Sequence, residues 1–230
     1  MTASLLIVGR GRMGRLVEAL APDYEFSVAG TVDVDNVGQP ESWPKADVAI
    51  DFSLAEAVPE NFPVLAARGM NIVIGATGWQ AQEPRLRAEA EARGIGVVAA
   101  PNFAIGVNLF LALTERAAEL WRDQPAFGAW LHELHHAAKK DAPSGTALAL
   151  ESVMRGKGYA HPIDVASSRA GSIPGTHTVG FDAAAETITL THTARDRSAF
   201  ARGALEAARW VQGRTGWFTM RDVLGMGERG

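Results

Sequence analysis

The sequence predicts an α/β fold followed by an α+β unit, and three observations predict it. Through about the first hundred residues, short apolar runs alternate with helical patterns, as when strands feed crossover helices in a parallel sheet. A cluster of glycines closes the first of those runs. Beyond residue 127 the pattern changes to strands that follow one another with few helices between them. At roughly 150 residues per domain, a chain of 230 residues suits one or two domains. Its 47% hydrophobic and 21% charged residues are a globular rather than a disordered composition.

Five strands are expected in the first unit, at 4–8, 26–32, 47–52, 71–75 and 95–99. They show little polar alternation, as when both faces of a sheet are covered. The helix at 82–93 is rich in Ala, Glu and Arg, whereas Pro59 and Pro63 must kink or delay the helix after Ser53. Val107, Leu111, Thr114, Ala118 and Trp121 fall at helical spacing and predict a long helix over 105–123. Strands at 127–136, 163–169, 176–182 and 186–193, with a helix from 144 to about 156, then make an α+β unit on a mixed or antiparallel sheet. An Ala-rich helix at about 199–212 returns the chain. The expected domains are therefore 1–104, completed by 205–230, and 105–204.

Charge and composition exclude several classes. A net charge of -4 offers no basic field, so neither nucleic acid nor anionic lipid is an expected partner. The absence of Cys excludes disulfides and thiolate sites and suits a cytoplasmic enzyme. The opening MTASLLIVGRGRMG lacks the apolar stretch of a signal peptide and reads as mature protein. The uncharged stretch 94–114 is long enough to cross a bilayer. Gly96, Pro101, Asn102, Gly106 and Asn108 break it into a strand, a turn and a helix start, so no membrane contact is expected.

Gly9, Gly11 and Gly14 spell G-x-G-x-x-G directly after the first strand and at a helix start. In that position the motif gives a tight turn, a close backbone approach to a pyrophosphate and a helix N-terminus that stabilises the anion. The plainer reading is turn chemistry alone. Asp33 ends the second strand, 19 residues past Gly14, where a carboxylate accepts from the hydroxyls of an adenosine ribose. Its charge would repel a 2′-phosphate, so NADH is expected over NADPH, with Arg10 and Arg12 able to blur the preference. Gly75-Ala76-Thr77 and Ala100-Pro101-Asn102-Phe103 follow other strands at the ligand-binding sheet edge and are candidates for the nicotinamide end.

The densest polar cluster runs from His132 to Thr146 and holds three of the six histidines. Imidazoles near neutral pKa suit proton transfer, an ammonium suits carboxylate binding, and Ser144-Gly145-Thr146 at a helix start offers N–H donors to an anion. A solvated edge with a helix cap is the plainer alternative. His132-Glu133-Leu134-His135-His136 also matches H-E-x-x-H, the helical zinc pair of metalloproteases. On a strand, His132 and His136 would stand roughly 13 Å apart, too far for one metal ion. No metal is therefore expected, and a zinc hydrolase stays a rival reading.

Glu133 through Ala147 reproduce E-x-H-H-x-x-K-x-D-A-P-S-G-T-A, the signature of the dihydrodipicolinate (4-hydroxy-tetrahydrodipicolinate) reductase family, which this sequence resembles. The resemblance extends through Arg12-Met13-Gly14, Asp51-Phe52-Ser53, Gly75 to Gly78, Asn102-Phe103, Ile105 to Asn108, Pro174 to His177 and Met220 to Leu224. It implies a Rossmann-type dinucleotide-binding domain and a substrate and tetramerisation domain. The implied activity is NAD(P)H-dependent reduction of a small dicarboxylate in the diaminopimelate route to lysine. By resemblance His135 is the acid/base histidine, Lys139 the proton donor and His136 a substrate contact, while Gly145 and Thr146 bind a substrate carboxylate. Gly9, Arg10, Gly11, Arg12, Met13 and Gly14 would hold the pyrophosphate, Asp33 the ribose, and Gly75 to Thr77 with Ala100 to Phe103 the nicotinamide. A homotetramer is implied as well. The sequence departs from the family in a glycine turn one residue shorter, in Ala76 for Thr and Ala104 for Ser, and in a short segment between Asp33 and Asp47.

Overall fold

The structure, a computed structural model, describes residues 2–227. Met1 and 228–230, which the expected domain boundaries include, lie outside the described residues. In chain order the strands are β1 (Ala3–Val8), β2 (Phe26–Val32), β3 (Val48–Asp51), β4 (Asn71–Ile74), β5 (Gly96–Ala99), β6 (Gly128–His135), β7 (Ile163–Arg169), β8 (Gly175–Ala183), β9 (Glu186–Ala194) and β10 (Gly216–Phe218). The helices are α1 (Arg12–Leu20), α2 (Val58–Ala67), α3 (Glu83–Arg93), α4 (Ile105–Trp121), α5 (Gly145–Gly156), α6 (Ser198–Val211) and α7 (Met220–Val223).

Two compact units result: the residues up to Ile105 with those from Arg197 onward, and Gly106–Asp196. The chain returns to the first unit at Arg197, not at 205 as the sequence suggested. The reason is that α6 is one helix with one buried face. Ala201, Ala204, Leu205, Ala207, Ala208 and Val211 all enter the first unit's core, so a boundary inside the helix would split that face.

In the first unit six parallel strands lie in the order β10-β5-β4-β3-β1-β2. Period-2 alternation sends Leu5 and Ile7 of β1 into one core layer with α1 and α6, and Leu6 and Val8 into the other with α2. The sequence reading missed β10, three residues long and paired to β5. The prolines of α2 are accommodated rather than avoided. Pro59 sits in the first turn, where its missing N–H costs nothing. Pro63 cannot donate to the Pro59 carbonyl, and Arg85 Nη2 supplies that bond at 3.2 Å.

In the second unit the order is β7-β6-β8-β9, with β6–β7 parallel and the other pairs antiparallel, so the sheet is mixed. Its inner face packs Ala129, Leu131, Val179 and Phe181 against Phe110 and Ala118 of α4 and Leu150 and Met154 of α5. Each large side chain buried this way contributes about 1.5–3 kcal/mol. The opposite face carries Trp130, His132 and threonine pairs such as Thr178–Thr191 at 3.0 Å. Among the described residues no helix is long and apolar enough to cross a membrane; the stretch 94–114 is divided between β5 and α4.

Candidate active site

At the carboxyl edge of the first sheet, β1 and β3 are neighbours from which the chain runs on in opposite directions, the switch point where open α/β sheets bind ligands. Each glycine of the motif has a separate physical role there. Gly9, at φ +86°, lies so close to the β3 end that a Cβ would stand 2.6 Å from the Ser53 nitrogen. A Cβ on Gly14 would stand 2.2 Å from the Gly9 carbonyl oxygen, which locks α1 onto the turn. Gly11 has no neighbour within 4 Å of a Cβ and caps α1 without a side-chain hydrogen bond. The result is an open cradle at a free helix N-terminus with no acidic residue in its first turn. That chemistry fits a pyrophosphate.

Asp33 follows directly on Val32, whose carbonyl accepts from Gly9 N at 2.7 Å, so the expected ribose carboxylate stands beside the turn. Its backbone N–H donates to Asn36 Oδ1 at 2.9 Å, and its Oδ1 accepts from Asp35 N at 3.1 Å. Arg10 is tied to Glu18 of α1 by bonds of 3.0 and 3.3 Å. Arg12 is exposed and Met13 half-buried.

Gly75, Ala76 and Thr77 leave β4, and Ala100, Pro101, Asn102 and Phe103 leave β5, on the same edge. They are drawn together by Phe52. Its ring lies where a Gly75 side chain would be and meets Phe103 edge-on at 6.4 Å. Asp51, buried beneath, fixes the turn by accepting from Ser53 N at 2.8 Å, and burial pushes its carboxyl up. Ala76 and Ala104 are both buried. The missing hydroxyls thus concern interior positions, and the backbone N–H of Ala104 donates to Asn102 Oδ1 at 2.9 Å.

The second unit holds the histidine cluster. Along β6 the inward positions Ala129, Leu131, Glu133 and His135 share a face, so an apolar row gives way to a polar one as the strand ends. Glu133 has no exposed surface. A buried carboxylate needs partners, and four hydrogen bonds from three residues reach it. Arg169, at the end of β7, donates Nη1 to Oε2 at 3.0 Å and Nη2 to Oε1 at 2.7 Å. Ser144 N donates to Oε1 at 3.3 Å, and His135 Nδ1 bonds Oε2. Burial opposes ionisation of Glu133 but is outweighed by hydrogen bonds from Arg169, Ser167 and His135, which hold its carboxyl down at about 2.

An ionised Glu133 fixes His135 as the tautomer with hydrogen on Nδ1 and turns Nε2 the other way. Gly175 makes room for it, since a Cβ there would stand 2.9 Å from Nε2. The His135 side chain is 13% exposed, enough to meet a ligand. The sequence suggested a pKa near neutrality for it. Burial pushes that pKa below the ordinary 6.5, Glu133 raises it in part, and Lys139 and Arg169 add to the lowering. His177 lies edge-on to His135 at 5.1 Å, and burial together with the His135 charge pushes it down to about 4. Its Nε2 bonds Ser144 Oγ at 2.8 Å, the same oxygen that caps α5 by accepting from Ala147 N.

Lys139 Nζ donates to both oxygens of Asp141, at 2.8 and 2.9 Å. His136 is exposed just beyond β6, while Gly145 and Thr146 open α5 with exposed and half-buried surface. The structure thus joins His135 and Ser144 to Glu133, which the sequence matched in a signature but gave no role, and ties Lys139 to Asp141. It adds Arg169, and gives contacts to His177 and Asp141, which the sequence matched without a role. Arg169 lies 36 positions from Glu133 and carries no motif, so only the parallel β6–β7 register could have found it.

The helix that a zinc reading of His132 and His136 requires is not formed. Residues 128–135 are strand, and His132 Nε2 bonds Ser168 Oγ at 2.9 Å. A different trio, Glu133, His135 and His177, has ligand atoms within 4.8 Å of one another. Both Glu133 oxygens are paired with the Arg169 guanidinium, and His177 Nε2 is turned to Ser144 Oγ.

Family models described as the N-terminus and the C-terminus of dihydrodipicolinate reductase match residues 3–103 and 106–224. A protein of Myxococcus xanthus named 4-hydroxy-tetrahydrodipicolinate reductase is 42% identical over 85% of this chain and 79% of its own. One of Christiangramia forsetii with the same name is 32% identical over 96% of this chain and 97% of its own. Among solved structures, a dipicolinate-bound dihydrodipicolinate reductase from Paenisporosarcina sp. TG-14 superposes with a TM-score of 0.81 over 95% of this chain and 98% of that one. At 22% identity it shows likeness of fold.

Proposed function

The chain belongs to the dihydrodipicolinate reductase family, and from that membership we propose that it reduces 4-hydroxy-tetrahydrodipicolinate, or its dehydrated form, to tetrahydrodipicolinate, with NADH as the preferred cofactor. The hydroxylated compound would first lose its C4 hydroxyl as water, with a proton from C3, to give the conjugated imine, and the nicotinamide dinucleotide, when bound, would supply the hydride to C4 of that ring. Carbon C3 must then gain a proton. We assign that proton to Nε2 of His135, and Lys139 to a ring carboxylate, where its charge offsets charge developing in the ring. His136 adds a contact, and the N–H groups of Gly145 and Thr146 at the start of α5 receive a carboxylate.

The observation that carries this reading is the buried, ionised Glu133 behind His135. A carboxylate there fixes the tautomer and stabilises the imidazolium without itself taking the proton. An empty site disfavours that imidazolium because His135 is partly buried, and a bound dicarboxylate brings the negative charge that raises it again. The dipicolinate bound to the Paenisporosarcina reductase is a dicarboxylate of this kind. A cytoplasmic homotetramer, built on the open face of the second unit's sheet, completes the reading.

The test is loss of NADH absorbance with freshly made product of the preceding synthase, in buffer with a chelator. Oxidation is expected, and Lys139→Ala should abolish it while still binding NADH. Failure of the parent protein to oxidise NADH, despite binding it, would favour a cofactor-sensing module. Oxidation lost only when chelator is present would show that the reaction requires a metal ion. A second expectation concerns the cofactor. Arg10, held by Glu18, is kept from a 2′-phosphate, while Asp33 accepts from the ribose. Asp33→Ala should weaken NADH binding about 10-fold, as loss of a charge-assisted hydrogen bond does, and Glu18→Gln should improve NADPH relative to NADH. Equal ratios of the two dissociation constants in parent and variants would refute both assignments.

A further inference from the structure

We propose that Arg169 is the positioning residue of the proton-transfer site, holding His135 through Glu133 and Lys139 through the carbonyl of Asp141. The proposal rests on the reductase reading above. One guanidinium makes both connections. Nη1 and Nη2 reach the two Glu133 oxygens at 3.0 and 2.7 Å, a two-point clamp that stops the carboxylate from rotating. Oε2 is the oxygen it shares with His135 Nδ1, so the clamp also sets the direction in which His135 points. Nη2 further donates to the Asp141 carbonyl at 2.6 Å, and Nη1 to the Ser168 carbonyl at 2.8 Å. The carboxylate of the same Asp141 holds Lys139 Nζ.

The orientation of Arg169 follows these bonds and not its own full satisfaction, because its Nε is buried with no hydrogen-bond partner among the described residues. The planar fork is what the task requires. A lysine ammonium is a point charge and cannot span two carboxylate oxygens and a carbonyl in one plane. Removing the guanidinium would leave a fully buried Glu133 whose burial favours the neutral acid, and a protonated Glu133 no longer orders His135.

Arg169→Met and Arg169→Lys test this, with thermal midpoint, NADH affinity, kcat, KM and pH profile measured on each. Arg169→Met should lower kcat about 100-fold, the scale of a small misplacement of a reacting group, with NADH affinity unchanged. It should also add an acid limb to the profile, the rate falling as pH falls through the raised Glu133 pKa. Guanidinium ion should restore part of the activity of Arg169→Ala, and Arg169→Lys should not reproduce the parent profile. A folded Arg169→Met with parental kcat and pH profile overturns the proposal, as does a loss of kcat with no change in profile. If Arg169→Met does not fold, Glu133→Gln decides: kcat reduced at unchanged NADH affinity supports the proposal, and unchanged kcat overturns it. A parent protein that never oxidises NADH fails the reductase reading first. An active parent with an unaffected Arg169→Met fails this proposal alone.

Discussion

Replacing His135 by Gln is expected to lower turnover by about 10²- to 10⁴-fold, the range of a lost general acid or base, with NADH affinity unchanged. Glutamine keeps a donor for Glu133 but has no group that gives up a proton near neutral pH. The sign of the pH dependence follows from the lowered pKa of His135. If the imidazolium delivers the proton, turnover is highest where His135 is protonated and falls as pH rises through its pKa. A bound dicarboxylate moves that limb upward. The variant should lack the limb, so profiles of kcat between about pH 5 and 9 should differ in shape as well as height. A variant that kept the parental limb would show that another group supplies the proton.

Gly203→Ala is expected to damage the first unit more than any surface change. Helix α6 crosses the segment after β5 so closely at Gly203 that a Cβ would lie 1.7 Å from the Phe103 carbonyl oxygen and 2.8 Å from its carbon. Both obstacles are backbone, so no side-chain rotation relieves the clash. Either α6 or the segment 100–103 must move. Overpacking of this kind costs about 1–3 kcal/mol and occasionally more, and at this chain length each kcal/mol is worth about 2–4 °C in Tm. Because Ala100 to Phe103 are proposed to face the nicotinamide, NADH binding should weaken as well. Thermal unfolding and an NADH titration on the same variant check both effects, and parental values in each would contradict the packing described here.

The middle of the first sheet was legible because β1, β3, β4 and β5 are apolar runs buried along most of their length, and their order of appearance with helices between them leaves few topologies. β10 was not legible, since Gly216–Phe218 is too short to show a period and is strand only by pairing with β5. Pro63 argues against a regular helix for a sound reason, but the remedy is Arg85, which lies on a different helix. In the site, Ser144 announces itself as a cap, and the glycine turn by its place after a strand. Glu133 stood in view as an inward strand position following Ala129 and Leu131. What sequence could not supply was the partner that makes a buried carboxylate tolerable, because Arg169 reaches it through sheet register. The lowered pKa of His135 was hidden for a similar reason, since desolvation depends on packing that spacing does not reveal.

In the reaction proposed above, a cofactor held by the glycine turn reduces C4 of a cyclic dicarboxylate bound at the histidine cluster. Its most direct test is turnover of synthase product with NADH deuterated at the transferred position, followed by NMR of the tetrahydrodipicolinate formed. Deuterium at C4 of the ring is the predicted result. Oxidised cofactor that keeps the label, or a product with none at C4, would contradict the account.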